Sequence, residues 1–187
     1  MTSSSEDGEE ELDSLSERQF ERLQNSLKEY GEDDIIEREK IGDNLDEIEK
    51  EELYKLSDGD ASELISFYIT TSALIEQESI LIINAYVFDF GSNGRGSIEF
   101  LEQNLNQHDR EAMLYHLGLI DSGLKGELSR VRRKRNDLAH SSDHGIIEDI
   151  SRLQNDIKRA KEAKDQLKEI GREVELELLI DDPEKNS

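Results

Sequence analysis

Residues Leu64–Phe88 read LISFYITTSALIEQESILIINAYVF. Leu64, Ile65, Phe67, Tyr68, Ile69, Leu74, Ile75, Ile80, Leu81, Ile82, Ile83 and Val87 fall on nearly every side of a helical wheel. A helix apolar all round lies at the centre of a bundle or in a dimer interface. The β-branched run from Ile80 to Val87 would also suit a strand, but the length of the segment predicts helix. Upstream, Ser57-Asp58-Gly59-Asp60 is a break, and an acidic residue there is expected to cap a helix beginning near Ala61. Glu76 and Glu78 interrupt the apolar run, where a carboxylate needs a partner or a path to water. The plain reading puts them at the helix surface; the alternative turns Glu76 toward a functional cleft.

Downstream, Gly91-Ser-Asn-Gly-Arg-Gly-Ser97 is glycine-rich but lacks the Gly-Lys-Ser/Thr ending of a phosphate loop, so it reads as a connector. Ser97 is expected to cap a short helix through Asn104. A helix from Asp109 to Leu119 would turn Met113, Leu114, Leu117 and Ile120 inward. Asp121-Ser122-Gly123 then starts a helix through Leu124, Leu128 and Val131, and Ser141–Gly145 reads as a loop. Ile146, Ile147, Ile150, Leu153, Ile157, Ala160, Leu167 and Ile170 predict one long closing helix, with a disordered tail at 181–187. The fold class is all-α, with a helical domain over 61–180. Sustained heptads, which would mark an assembly built on long coiled coils, are not evident.

The formal net charge is -23, from 46 acidic and 23 basic side chains, and residues 1–60 alone hold 22 acidic against 7 basic. Two physical situations produce such a balance. One is disorder, because high charge with few apolar groups does not offset chain entropy. The other is life at molar salt, where self-repulsion is screened within a few ångströms. A halophilic folded domain with an acidic, partly helical or disordered N-terminal region combines both. In that region Leu12, Leu15, Phe20, Leu23 and Leu27, and again Ile41, Leu45, Ile48 and Leu53, predict two thin amphipathic helices that need a partner surface. No cysteine is present, which excludes disulfides and thiolate metal sites. The N-terminus lacks a secretory pattern, and the run near Ile80–Phe90 is too short to span a bilayer; a cytoplasmic protein is expected.

Against this acidity, Arg130, Arg132, Arg133, Lys134 and Arg135 make five of six consecutive residues basic. One or two cations at a helix end would offset the macrodipole by about 0.3–1 kcal/mol each. Five call for an anionic partner, most commonly a nucleic acid. Molar salt weakens a diffuse patch, whereas bidentate arginine–phosphate contacts survive better. Arg135 and His140 are five positions apart. A continuing helix would separate their side chains by about 140°, and a turn after Leu138 would bring them together. An arginine supplies fixed charge to a phosphoryl transition state, and a histidine exchanges a proton near neutral pH. Together they suffice for metal-independent RNA cleavage by the 2′-hydroxyl.

The hexapeptide Arg135-Asn136-Asp137-Leu138-Ala139-His140 resembles the R-x4-6-H motif of HEPN domains. The resemblance extends loosely over residues 61–170: a very apolar helix, a glycine-rich connector, shorter helices, the motif helix and a last helix. It implies a small helical bundle that forms a homodimer, with two motifs at a shared cleft. It further implies an endoribonuclease of toxin–antitoxin, defence or RNA-processing type, acting without a cofactor and leaving a 2′,3′-cyclic phosphate. Carried over by position, Arg135 stabilises the scissile phosphate, His140 is general acid or base, and Asn136 orients one of them or binds phosphate. Arg130, Arg132, Arg133 and Lys134 are assigned to the RNA backbone from charge alone. Some HEPN domains bind without cutting, so the alternative is a non-catalytic RNA-binding or adaptor module, for instance beside a nucleotidyltransferase; an antitoxin is the partner in the toxin case. His108, His116 and His144 show no metal-ligand spacing with one another or with His140, and no metal site is expected.

Overall fold

The computed structural model describes residues 3–30, 35–41, 48–88, 94–140, 146–147 and 149–180. Six helices carry most of these residues, in agreement with an all-α class: α1 (Ser3–Ser26), α2 (Asp58–Phe88), α3 (Gly94–Asn104), α4 (Gln107–His116), α5 (Ser122–His140) and α6 (Ile150–Ile180). A small antiparallel sheet is added, in the order β1 (Ile35–Ile41), β2 (Ile48–Lys55), β3 (Ile146–Ile147). The chain forms two compact units, residues 1–70 with 135–159 and residues 71–134 with 160–187, and helices α2, α5 and α6 contribute to both. No helix among the described residues is long and apolar enough to cross a membrane.

In the first unit, Leu23 of α1 and Leu27 just beyond it are buried as their spacing predicts, but Leu15 is exposed and Ser16 and Gln19 are buried instead. The Gln19 amide donates to Ser66 Oγ (2.6 Å), and the Gln24 amide donates to the Gln154 carbonyl (3.0 Å). Phe20 and Phe67 lie 6.5 Å apart, and Phe67 meets Tyr68 edge to face at 5.3 Å. Full burial of each leucine stabilises the unit by about 1.5–3 kcal/mol.

The second acidic helix expected from Ile41 to Leu53 is a hairpin instead. Ile35 pairs with Tyr54 and Ile41 with Ile48 in one unbroken antiparallel register. Seven residues on one strand face seven on the other, with isoleucines at both ends and Gly42-Asp43-Asn44 following the first strand in sequence. Strand pairing along that register outweighs a thin helical periodicity. Ile146 and Ile147, expected at the start of the last helix, pair with Lys55 and Tyr54. Helix α6 therefore begins later, at Ile150, where the Asp149 carboxylate accepts from the Arg152 amide (3.0 Å).

Helix α2 starts three residues before the expected position, and its cap is Ser57. Ser57 Oγ accepts from the Asp60 amide (3.1 Å) and donates to Asp60 Oδ2 (2.6 Å). Tyr30 adds a third corner: its hydroxyl accepts from the Ser57 amide (2.6 Å) and donates to Asp60 Oδ2 (2.8 Å). Ser26 Oγ bonds the other carboxylate oxygen, tying the end of α1 to the start of α2. Burial pushes the Asp60 pKa up, but the hydrogen bonds from Ser26, Ser57 and Tyr30 outweigh it and hold it below the ordinary 3.8. Burial, with the neighbouring Asp60 charge, keeps the Tyr30 hydroxyl above its ordinary 10.0 despite the opposing Ser57 amide.

The second unit is built on the apolar half of α2, where Leu74, Ile75, Ile82 and Ile83 are almost fully buried; this segment is helical, as its length requires. Gly171 of α6 permits close approach there, since a Cβ at that position would come 3.0 Å from Glu78 Oε2 and 3.5 Å from Ile82. Ser97 is not a cap: it sits inside α3, buried, and its hydroxyl bonds the Asn84 side chain. Arg110 closes the far end of α3 by donating to the carbonyls of Leu105 (2.6 Å) and Leu101 (3.4 Å). Helix α4 begins at the Asn106 cap, two residues earlier than expected, and stops at Leu117. Gly118 has φ 75°, the Gly118 amide donates to the Tyr115 carbonyl (3.0 Å) and the Leu119 amide to that of Leu114 (3.0 Å). These are the two bonds of a Schellman stop, and glycine is the residue that enters that conformation without strain. Asp121 then caps α5 through the Leu124 amide (2.7 Å).

Candidate nucleic-acid interface

All seven residues assigned to RNA lie on α5, which runs without a break from Ser122 to His140. The turn after Leu138 that would bring Arg135 to His140 is absent; at 100° per residue the two side chains diverge by about 140°. Within one copy of the chain the helix therefore does not bring the expected pair together.

The reason is visible along the buried stripe of α5. Leu124, Leu128, Val131 and Leu138 are buried at spacings of four, three and seven. Position 135 completes a four-three-four-three pattern, so Arg135 occupies an inward position. It is half-buried, with Nε beneath the surface. Asn136, Asp137 and His140 are exposed, and Asn136 and His140 are neighbours one turn apart on the outer face.

The basic run divides in the same way. Arg130 and Arg133 are exposed and about 60° apart around the helix. Arg130 Nη1 lies 3.6 Å from Glu127 Oε2, and Arg133 Nε donates to the Ser129 carbonyl (3.3 Å). Lys134 is half-buried. Arg132 faces inward to α4, where its Nε donates to Glu111 Oε1 (3.2 Å) and its Nη2 to Oε2 (3.5 Å). Ser129 Oγ donates to the same Oε2 (2.7 Å). Arg132 Nη2 also lies 3.4 Å from His108 Nδ1, a contact in which the ring nitrogen accepts only while unprotonated.

Glu111 is the residue that sequence reasoning missed. It has no exposed surface. A carboxylate so placed depends on charge-assisted donors, which Arg132 and Ser129 supply. One weak signal exists: Arg110 and Glu111 precede Leu114 by four and three positions, on the inward side of α4. Glu76 is half-buried, as a surface-edge position would be. Among the described residues no three His, Asp or Glu side chains converge as metal ligands would; His144 lies outside the described residues. Comparison with protein-family models, curated proteins and solved structures found no match.

Proposed function

We propose that this chain is a metal-independent endoribonuclease of HEPN type that works as a homodimer. One observation carries the reading: the last two turns of α5 hold a half-buried arginine, an exposed asparagine and an exposed terminal histidine. A guanidinium fixed by its surroundings is pre-organised to stabilise a pentacoordinate phosphate. A histidine open to solvent can take the 2′-hydroxyl proton, or return one to the departing 5′-oxygen. The 2′-oxygen forms the new P–O bond as the 5′-oxygen leaves, which yields a 2′,3′-cyclic phosphate and a 5′-hydroxyl without an external co-reactant. Because Arg135 and His140 diverge on one helix, a single phosphate would touch both kinds of group across two copies of α5. Cytoplasmic location, a halophilic source and an antitoxin or nucleotidyltransferase partner belong to this same reading.

A second reading is favoured by the inward place of Arg135. There the arginine serves packing, and the outer face of α5 binds RNA without cutting it. Purified protein incubated with RNA in EDTA at high salt separates the two. The nuclease reading expects cleavage that falls at least about a hundredfold in both Arg135→Ala and His140→Ala, the ordinary reach of one acid–base or charge-stabilising group. RNA retention without cleavage in the unaltered chain would establish the binding module instead.

A further inference from the structure

We infer that Glu111 is a positioning residue for α5, with Arg132 as its internal anchor, so that RNA phosphates meet Arg130 and Arg133 and not Arg132. The inference deepens the RNA reading above and rests on it for the identity of the anion. The rotation of α5 about its axis rests on its own evidence.

Glu111 is fully buried on α4, and both its oxygens are met from α5: Oε1 by Arg132 Nε at 3.2 Å, Oε2 by Ser129 Oγ at 2.7 Å and Arg132 Nη2 at 3.5 Å. Ser129 and Arg132 are three apart and share one side of the helix. Two attachment points on one side, closed on a single carboxylate, fix which way that side faces. The consequence for the basic run is geometric. Arg130 lies about 160° and Arg133 about 100° around the helix from Arg132, so anchoring Arg132 inward directs the other two outward. Their exposure agrees, while the Arg132 side chain is 23% accessible and that of Glu111 is 0%. A phosphate approaching Arg132 would have to displace a carboxylate that has no exposed surface and that Arg132 meets at 3.2 Å. Arg130 is exposed, and its 3.6 Å contact with Glu127 is made at a more solvent-screened site than the sealed Glu111. Of Arg130, Arg132 and Arg133, the one that meets a fully buried carboxylate is thus the least available to RNA.

Two measurements on the full chain test this. The first is the salt dependence of binding to a 12-nucleotide oligouridylate, followed by fluorescence anisotropy. Each lost phosphate contact flattens the slope of log affinity against log salt by about 0.7 for a single strand. Arg130→Gln and Arg133→Gln are each expected to flatten it by about that much, and Arg132→Lys to leave it unchanged. Arg132→Lys keeps the charge but loses the two-pronged fit to Glu111, so its melting temperature is expected to fall while the slope holds. Flattening by Arg132→Met equal to that by Arg133→Gln would overturn the assignment. The second measurement is a thermal cycle over Glu111→Gln, Arg132→Met and the double variant. Arg132→Met is expected to lower Tm by roughly 10 °C, because it strands a buried charge, and adding Glu111→Gln to recover about half of that loss. Additive losses would refute the anchor. Should the unaltered chain bind no RNA, the RNA reading fails, and the thermal cycle still decides whether Glu111 anchors Arg132.

Discussion

Asp60, in the first unit, and Glu111, in the second, are both carboxylates that hold two helices together, yet they are held by different chemistry. Asp60 sits at the start of α2, partly open to solvent, and takes its hydrogen bonds from the hydroxyls of Ser26, Ser57 and Tyr30. Glu111 is sealed and takes a guanidinium and one hydroxyl. Neutral donors leave a net anion whose solvation is completed by water, so each donor is individually replaceable. A sealed carboxylate has no such reserve, and its stability depends on one cation. In a chain of net charge -23, cations are scarce. Placing one of the five from the basic run against Glu111 removes it from the surface, and the hydroxyl cluster at Asp60 serves its junction without any.

The largest expected effect breaks this contrast at its charged end. Arg132→Met should destabilise the protein by about 3–5 kcal/mol in urea unfolding, since it leaves Glu111 buried with only Ser129. A loss within about 1 kcal/mol would mean that Glu111 finds water on its own. A middle-sized effect sharpens the neutral end. Asp60→Asn should cost about 1–2 kcal/mol at pH 7, because hydrogen bonds to a charged acceptor are replaced by weaker ones. Here the pH dependence has a definite sign. The folded Asp60 pKa lies below 3.8, so its stabilising effect is complete above that value. It is lost as pH falls through the folded pKa, where the native carboxylate takes up its proton. The gap between the unaltered chain and Asp60→Asn should therefore be constant near neutrality and close on acidification below about pH 4. A gap that does not narrow at all between about pH 4 and pH 2 would show that the carboxylate charge is not what matters. The smallest effect concerns the turn between the helix of Glu111 and that of Arg132. Gly118→Ala should cost about 1 kcal/mol from its φ of 75°, read as a shift in the denaturant midpoint. The coupling between Glu111 and Arg132 should survive it.

Much of the helical order was legible because it depends on neighbours in sequence. The all-round apolarity of Leu64–Phe88 predicts a central helix, and α2 is helical there and largely buried, with Ile69, Tyr86, Val87 and Phe88 left exposed. Asp121 announces a start by side-chain capping, which acts over three or four residues, whereas the stop at Gly118 is overrun by a reading that carries the helix to Leu119. The strand pairing of Ile35–Ile41 with residues 48–54 was not legible, because the isoleucine and leucine spacing from Ile41 to Leu53 reads as a helix and pairing depends on a second strand. Arg135 is the instructive case at the candidate site. Its family-like motif points outward to chemistry, while the four-three-four-three spacing from Leu124 to Leu138 points it inward. Both patterns are in the sequence, and the second follows from helix geometry alone.

Composition, helix positions and the presence of one basic run in an acidic chain were therefore determined by the sequence itself, since each depends on local preference or simple charge. That Arg132 is held inside was decided only by tertiary structure. The burial of Glu111 is a property of α4 packed in its unit, and with the buried stripe of α5 it makes Arg132 the inward partner. A charge count treats Arg130, Arg132 and Arg133 as equivalent. Desolvation makes them different, because a buried carboxylate binds its cation far more firmly than solvent-screened charges bind one another.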